Sequence, residues 1–323
     1  MNRLPITVIS NARSGPTRRD KLAETLRNLF AKYGAEARIE LVEEGTQLCD
    51  VARRAIADGC RTLVAAGGDG TINALAQVVV EQCGKGSDVV LGVLPLGTLN
   101  HFAKDLGIPL DLEAAVRVVL EGEVRAVDVG EVNGKTFVNN SSLGLYPTLV
   151  KKREQHQSLG RSKWSAFAIA MWTVMGRYPL VNVSIEVDGK QLVRKTPLVF
   201  IGNNRYLIEG LQLGKRERLD AGTLSVYLTR DVSRAKLCWF ALRALFGKLR
   251  DEKDFDAIET TGLKILTSGK HARISADGEI DLLAIPLEYR IRPKALQVVV
   301  PRRASEATDA GASSMVKATT ADA

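Results

Sequence analysis

Through roughly the first 120 residues, short apolar runs alternate with stretches of helical periodicity, and that alternation leaves few folds open. Ile6-Thr7-Val8-Ile9 reads as a buried strand, and residues 37–42, 62–66 and 89–94 read as three more. Between the first two, Leu22, Leu26, Leu29, Phe30 and Tyr33 recur on one helical face. Leu48, Val51, Ala52, Ala55 and Ile56 mark a second helix, residues 72–80 a third, and Leu112, Ala115, Val116, Val119 and Leu120 another. Strands that alternate with helices predict a parallel, doubly wound α/β sheet. Such sheets bind ligands beyond the carboxyl ends of their strands.

Three unusual loops follow strands directly: Asn11-Ala12-Arg13-Ser14-Gly15, the stretch Ala66-Gly67-Gly68-Asp69-Gly70-Thr71-Ile72-Asn73, and Leu96-Gly97-Thr98-Leu99-Asn100. All three should therefore open on one edge of the sheet. The middle one is a phosphate site in outline. Its glycines permit positive φ and keep side chains out of the way. The helix after it offers unpaired N–H groups and the positive end of its dipole. It matches neither GxxxxGK[ST] nor GxGxxG. A carboxylate at Asp69 would repel a phosphate unless a cation lay between, and Mg²⁺ joins those two ligand types. Alternatively, Asp69 caps a helix that begins near Thr71. Spacing leaves both readings open.

Past about residue 126 the texture changes. Asn133-Gly134, Asp188-Gly189, Ser268-Gly269 and Asp277-Gly278 are two-residue hairpin signals between alternating runs. Residues 183–187, 197–201, 224–228 and 263–267 read as strands, interrupted by helical segments near 162–176 and 234–249. This half is expected to be an antiparallel β-sandwich or barrel. Tyr289-Arg290-Ile291 and residues 296–300 read as two last strands that return to the first domain. The expected division is an α/β nucleotide domain over 1–126, completed by 289–301, a β-sandwich domain over 127–288, and a disordered tail over 302–323.

Lys+Arg 45 against Asp+Glu 37 leaves +8, which favours an anionic partner without choosing one. The N-terminus lacks a signal-peptide apolar region. The longest apolar run, residues 164–175, falls short of the roughly 20 residues a spanning helix needs. Cys49, Cys60, Cys83 and Cys238 make no CxxC pair, as expected for thiols in a reducing cytosol. Lys151-Lys152-Arg153, Arg161 and Lys163 flank the apolar run and mark it as a candidate for contact with an anionic membrane; residues 238–246 are a second candidate. His156 and His271 have no ligand spacing and read as structural.

The segment Gly67-Gly68-Asp69-Gly70-Thr71-Ile72-Asn73, followed by Leu94-Pro95-Leu96-Gly97-Thr98-Leu99-Asn100-His101-Phe102-Ala103, resembles the diacylglycerol kinase catalytic-domain family. The likeness is to its bacterial soluble type, which sphingosine and ceramide kinases also resemble. Asn11-Ala12-Arg13-Ser14-Gly15, Gly202-Asn203-Asn204, Leu219-Asp220-Ala221-Gly222-Thr223-Leu224 and Asp277-Gly278-Glu279 resemble further family motifs in the family's order. The resemblance implies ATP-dependent phosphorylation of a lipid hydroxyl in a cleft between an α/β nucleotide domain and a β-sandwich domain. It implies ATP contacts from Asn11, Gly67, Gly68, Asp69, Gly70, Thr71, Ile72, Asn73, Gly97 and Thr98. It also implies Mg²⁺ at Asp69, a second, structural Mg²⁺ at Asp220, and Glu279 as general base. Elementary chemistry agrees: phosphoryl transfer needs positioning and charge neutralisation, and a hydroxyl nucleophile gains from a carboxylate in reach.

Three positions depart from the family pattern: His101 and Ala221 replace acids, and 205–210 replaces a glycine-rich loop. The expected partners are a lipid substrate and, transiently, an anionic membrane surface, with the protein otherwise cytoplasmic. Nucleic acid is not among them, and a homodimer is compatible. A nucleotide kinase resembling NAD kinases and a non-catalytic ATP- or lipid-binding sensor are the alternative functions.

Overall fold

The computed structural model describes residues 5–11, 16–144, 180–187, 189–209, 212–216, 218–229 and 255–302. Loop residues 12–15, the basic run at 151–153, Arg161 and Lys163, the segments 162–176 and 234–249, His156, Cys238 and the tail from 303 lie outside them.

The expected alternation is present. β1 (Ile6–Asn11), α1 (Pro16–Lys32), β2 (Ala37–Val42), α2 (Leu48–Ala57), β3 (Thr62–Gly67), α3 (Asp69–Cys83), β4 (Val90–Pro95), α4 (His101–Asp105) and α5 (Leu112–Glu121) follow in order. β2, β1, β3 and β4 lie side by side and parallel. β3 and β4 are almost wholly apolar because helices cover the sheet, while edge strand β2 keeps Arg38 and Glu40: Val8, Leu63, Val64 and Leu91 pack with Leu26 and Phe30 of α1, Leu75 and Val79 of α3 and Val116 of α5. Each such side chain, fully withdrawn from water, contributes about 1.5–3 kcal/mol. Register decides where the loops open. Ser10 lies level with Ala66, and Gly67 level with Pro95, so β1, β3 and β4 end together.

The antiparallel half begins with β5 (Glu123–Val132), β6 (Lys135–Phe137) and β7 (Asn140–Gly144). β8 (Val181–Val187), β9 (Lys190–Thr196), β10 (Leu198–Asn203), β11 (Tyr206–Glu209), β12 (Gln212–Arg216) and β13 (Leu224–Thr229) come next. β14 (Phe255–Thr260), β15 (Gly262–Thr267), β16 (His271–Ala276), β17 (Glu279–Ala284) and β18 (Leu287–Val300) complete it. One sheet runs β2-β1-β3-β4-β18-β15-β8-β9, with β5 on β18 and β6 on β5; a second runs β14-β13-β10-β7-β16-β17; β11 and β12 form a ribbon. Val183, Ile185, Leu263, Ile265 and Tyr289 from the first sheet meet Leu143, Val199, Ile201, Val226 and Ile274 from the second. That apolar layer is the sandwich core.

Two expectations are corrected here. The closing segments are one strand, β18, and the break between them is a register shift between Arg292 and Leu296 with Lys294 at φ 54°. A bulge interrupts pairing without ending a strand. Ser268-Gly269 is no hairpin turn: it carries the chain from β15 in one sheet to β16 in the other. The other three signals do form hairpins, β5–β6, β8–β9 and β16–β17. Asn133 and Gly134 (φ 46° and 84°), like Asp277 and Gly278 (φ 48° and 87°), have the paired positive φ of a tight two-residue turn.

Candidate active site

At two positions where the loops after β3 and β4 meet, only glycine fits. A Cβ on Gly67 would stand 2.5 Å from Thr71 Oγ1, and one on Gly97 would stand 2.4 Å from Gly68 Cα. The loops after β3 and β4 therefore touch backbone to backbone. Leu96 N–H donates to the Gly67 carbonyl across them at 3.0 Å. Asn100 closes the second loop: its Oδ1 accepts from Gly97 N–H at 3.0 Å and its Nδ2 donates to the Gly97 carbonyl at 2.8 Å. Asn100 itself is buried at φ 50°, a conformation that asparagine tolerates better than most residues.

Asp69 does not cap its own helix. α3 starts at Asp69 itself, with Gly68 as the capping residue and no side-chain cap. The Asp69 carboxylate instead accepts from His101 N–H and Phe102 N–H, both at 3.3 Å, at the start of α4. It thus ties the glycine loop to the loop after β4, and His101 takes part through its backbone while its side chain is exposed. Of the remaining loop residues, Thr71, Ile72 and Asn73 are buried and Thr98 is exposed. Asn73 Oδ1 and Asn11 Oδ1 are both buried with no hydrogen-bond partner among the described residues. Asn11 ends β1, one step past the Ser10–Ala66 pair, which sets it alongside Gly67. Two orphaned amide oxygens beside a glycine cradle are groups awaiting a donor.

Glu279 reaches this loop from the other half of the chain. Its Oε1 lies 3.5 Å from where a Cβ on Gly70 would stand. Lys135 Nζ is 3.7 Å from Glu279 Oε2 and also pairs with Asp281. Glu279 is the first residue after the Asp277-Gly278 turn, and the Asp277 side chain fixes that turn. Its carboxylate accepts from the N–H groups of Val138, Asn139 and Asn140 at 2.7, 2.8 and 3.0 Å. Burial lifts the Asp277 carboxyl to about 6, against those three N–H bonds and Arg216, which lower it.

Asp220 has different neighbours. Arg218 Nε donates to it at 3.0 Å and holds its carboxyl below the usual range. Where the family has an acid, Ala221 uses its N–H to bond Asn204 Oδ1 at 3.1 Å. Among the described residues no group of three or more His, Cys, Asp or Glu is placed to hold a metal ion.

Several site residues carried no sequence signal. Cys49, on α2, donates to the Ala74 carbonyl at 3.6 Å; burial raises its thiol pKa, and Glu279 adds to the effect. Arg216 is buried between the halves. Its Nε donates to Asp105 Oδ2 at 2.7 Å and its Nη2 to Asn139 Oδ1 at 2.9 Å. Its Nη1 donates to the Val138 and Asn203 carbonyls, and its guanidinium faces the Phe102 and Tyr206 rings. Within the charged run Lys215-Arg216-Glu217-Arg218, no pattern marks Arg216 as the buried one.

Residues 5–132 match the diacylglycerol kinase catalytic domain family, and residues 146–300 match the YegS C-terminal NAD kinase beta sandwich-like domain family. The chain is 30% identical over 188 residues to the diacylglycerol kinases of Staphylococcus aureus strains JH9 and Newman. That alignment covers 58% of this chain and 58% of each relative. A crystal structure from Bacillus anthracis strain Sterne, described as a diacylglycerol kinase, superposes with a TM-score of 0.65 at 19% identity, covering 93% of this chain and 98% of that one. A second structure from that strain gives 0.68 at 20%, covering 93% and 97%. At that identity the likeness is one of fold. No helix among the described residues is long and apolar enough to cross a membrane.

Proposed function

We propose that this chain, which joins a diacylglycerol kinase catalytic domain to a YegS-type C-terminal domain, is a lipid kinase that moves the γ-phosphoryl group of ATP to the hydroxyl of diacylglycerol or a related lipid. One observation carries the reading: a carboxylate from the β-sandwich half, Glu279, stands against the glycine loop at Gly70. A phosphate cradle alone serves any nucleotide-binding protein. A carboxylate at its edge adds a group that can take a proton from an acceptor hydroxyl.

The N–H groups at the start of α3 and along residues 96–98 bind and orient the phosphates. Asn11 and Asn73 supply amide groups to the nucleotide's hydrogen-bonding edge. Asp69 and the phosphate oxygens are an all-oxygen donor set that suits Mg²⁺, which is commonly held by one or two carboxylates together with substrate phosphates. When bound there, the ion neutralises the charge that develops on the transferring group. We assign no second metal to Asp220, whose charge Arg218 already neutralises. Because Gly70 has no side chain, the acceptor oxygen can approach Glu279 and the γ-phosphorus together. A lipid acceptor brings the working enzyme to a membrane surface.

The test is transfer from labelled ATP, with Mg²⁺, to a panel of single-hydroxyl lipids and NAD. Label on diacylglycerol or a related lipid is expected. ATP binding without transfer to any lipid would overturn the proposal, and label on NAD would make this a nucleotide kinase instead.

A further inference from the structure

Asp69 and Glu279 come from opposite halves of the chain, and the reaction proposed above needs them in fixed relation. A continuous polar path joins them. Asp69 grips the first N–H groups of α4, and α4 ends at Asp105. Asp105 holds Arg216, which at its other end holds the Val138 carbonyl and the Asn139 side chain. The N–H groups of 138–140 in turn hold Asp277, two residues before Glu279. Arg216 has no side-chain exposure and Asp105 has 8%.

We infer that Arg216 is a positioning residue that locks the Asp69 loop and the Glu279 hairpin into one catalytic register. It rests on the kinase reading for its consequence, but not for its geometry. Arginine suits the task because its planar fork points donors in several fixed directions at once. A lysine ammonium in the same place is a single point donor on a flexible stem and reaches fewer of these partners.

The first experiment is hydrogen exchange on the full chain, comparing wild type with Arg216→Lys and Asp277→Asn. In both variants, exchange at the amides of 101–102 and 138–140 should speed up together, about tenfold or more, while β1 and β3 keep their protection. If Asp277→Asn frees 138–140 and leaves 101–102 as protected as before, the inference is overturned. That readout needs no substrate, so it stands even if no lipid is ever phosphorylated. It also decides the matter if Arg216→Lys fails to fold. The second experiment is kinetic. Arg216→Lys should bind one ATP per chain with affinity within about threefold of wild type, yet lose on the order of 100-fold in kcat for lipid, the scale expected of a 1 Å misplacement. The double variant should be no slower than the worse single one, because both cut the same path. Multiplicative losses, or loss of kcat matched by loss of ATP sites, would show a structural role alone.

Discussion

Gly97→Ala is the sharpest test of the site's geometry, because it adds one methyl where two backbones meet. That methyl would stand 2.4 Å from Gly68 Cα, 3.2 Å from Gly68 N and 2.7 Å from Asn100 Oδ1. None of these atoms can swing away: two are backbone, and Asn100 is held by two hydrogen bonds to Gly97 itself. To reach ordinary contact the loops must part by about 1 Å, which costs roughly 1–3 kcal/mol as overpacking. The Asp69 bonds to His101 and Phe102 already measure 3.3 Å and do not survive that displacement. Thermal unfolding should fall by several degrees, at about 2–4 °C per kcal/mol. Turnover should fall about 100-fold, as expected for reacting groups displaced by 1 Å. Gly68→Ala is the control: its methyl meets only Gly97 Cα, at 3.3 Å, a gap that a shift of tenths of an ångström relieves. It should leave Tm within about 2 °C of wild type. Paired measurements of Tm and kcat decide the case. Wild-type turnover in Gly97→Ala, or a larger loss of Tm in Gly68→Ala, would refute the packing argument.

Glu279→Gln should lower lipid phosphorylation by about 10²–10⁴ and leave Tm nearly unchanged, since the side chain is 55% exposed; equal turnover would remove it as the base. Asp69→Asn presents an amide N–H₂ to a backbone N–H, so it should cost about 1–2 kcal/mol in chemical denaturation and abolish measurable turnover. If Asp69→Asn loses the stability but keeps the activity, Asp69 is a tether alone. Asp277 predicts a pH dependence. Its folded value of about 6 exceeds its ordinary 3.8, so between those values the folded chain holds a proton that the unfolded chain has released. Its contribution to stability therefore declines as pH rises from about 4 to 6, by as much as about 3 kcal/mol, and is flat above. Urea unfolding should find the advantage of wild type over Asp277→Asn greater at pH 4.5 than at pH 7. The opposite slope would mean that the three N–H bonds outweigh desolvation.

What was legible in the sequence was local. Gly67, Gly68, Gly70 and Gly97 stand out because a strand-to-helix turn with so little side chain has few purposes, and parallel topology then puts three loops on one edge. The tight turns at Asn133-Gly134 and Asp277-Gly278 were legible for the same reason, since both central residues need positive φ. Ser268-Gly269 misled because a turn signal reports that the chain bends, not which sheet it bends toward. The break after Arg292 misled because a bulge and a loop interrupt alternation alike. Asp69 had two readings and the structure supplies a third contact, α4, which begins 32 positions along the chain.

The parts that were not legible share a cause. Arg216 and Asp105 are separated by 111 positions, and Asp277 meets Val138, Asn139 and Asn140 across 137–139. No local rule of periodicity, capping or turn chemistry spans such distances. Each is nonetheless forced by a local fact once the fold is in place. A buried guanidinium must be paired, because an unpaired charge away from water costs several kcal/mol. Three consecutive backbone N–H groups must find acceptors once their strand leaves the ladder. The Asp-Gly-Glu segment therefore divides two tasks that its sequence presents as one motif. Gly278 turns the chain, Asp277 fastens the turn to the 138–140 backbone, and Glu279, beside Lys135, is the group proposed to meet a substrate. The same division appears at the other loop, where Gly68 makes the bend, Asp69 fastens it to α4, and the N–H groups at the start of α3 are the ones proposed to hold the phosphate. In both places an aspartate holds a backbone still beside a group left available for chemistry, and Arg216 stands between the two.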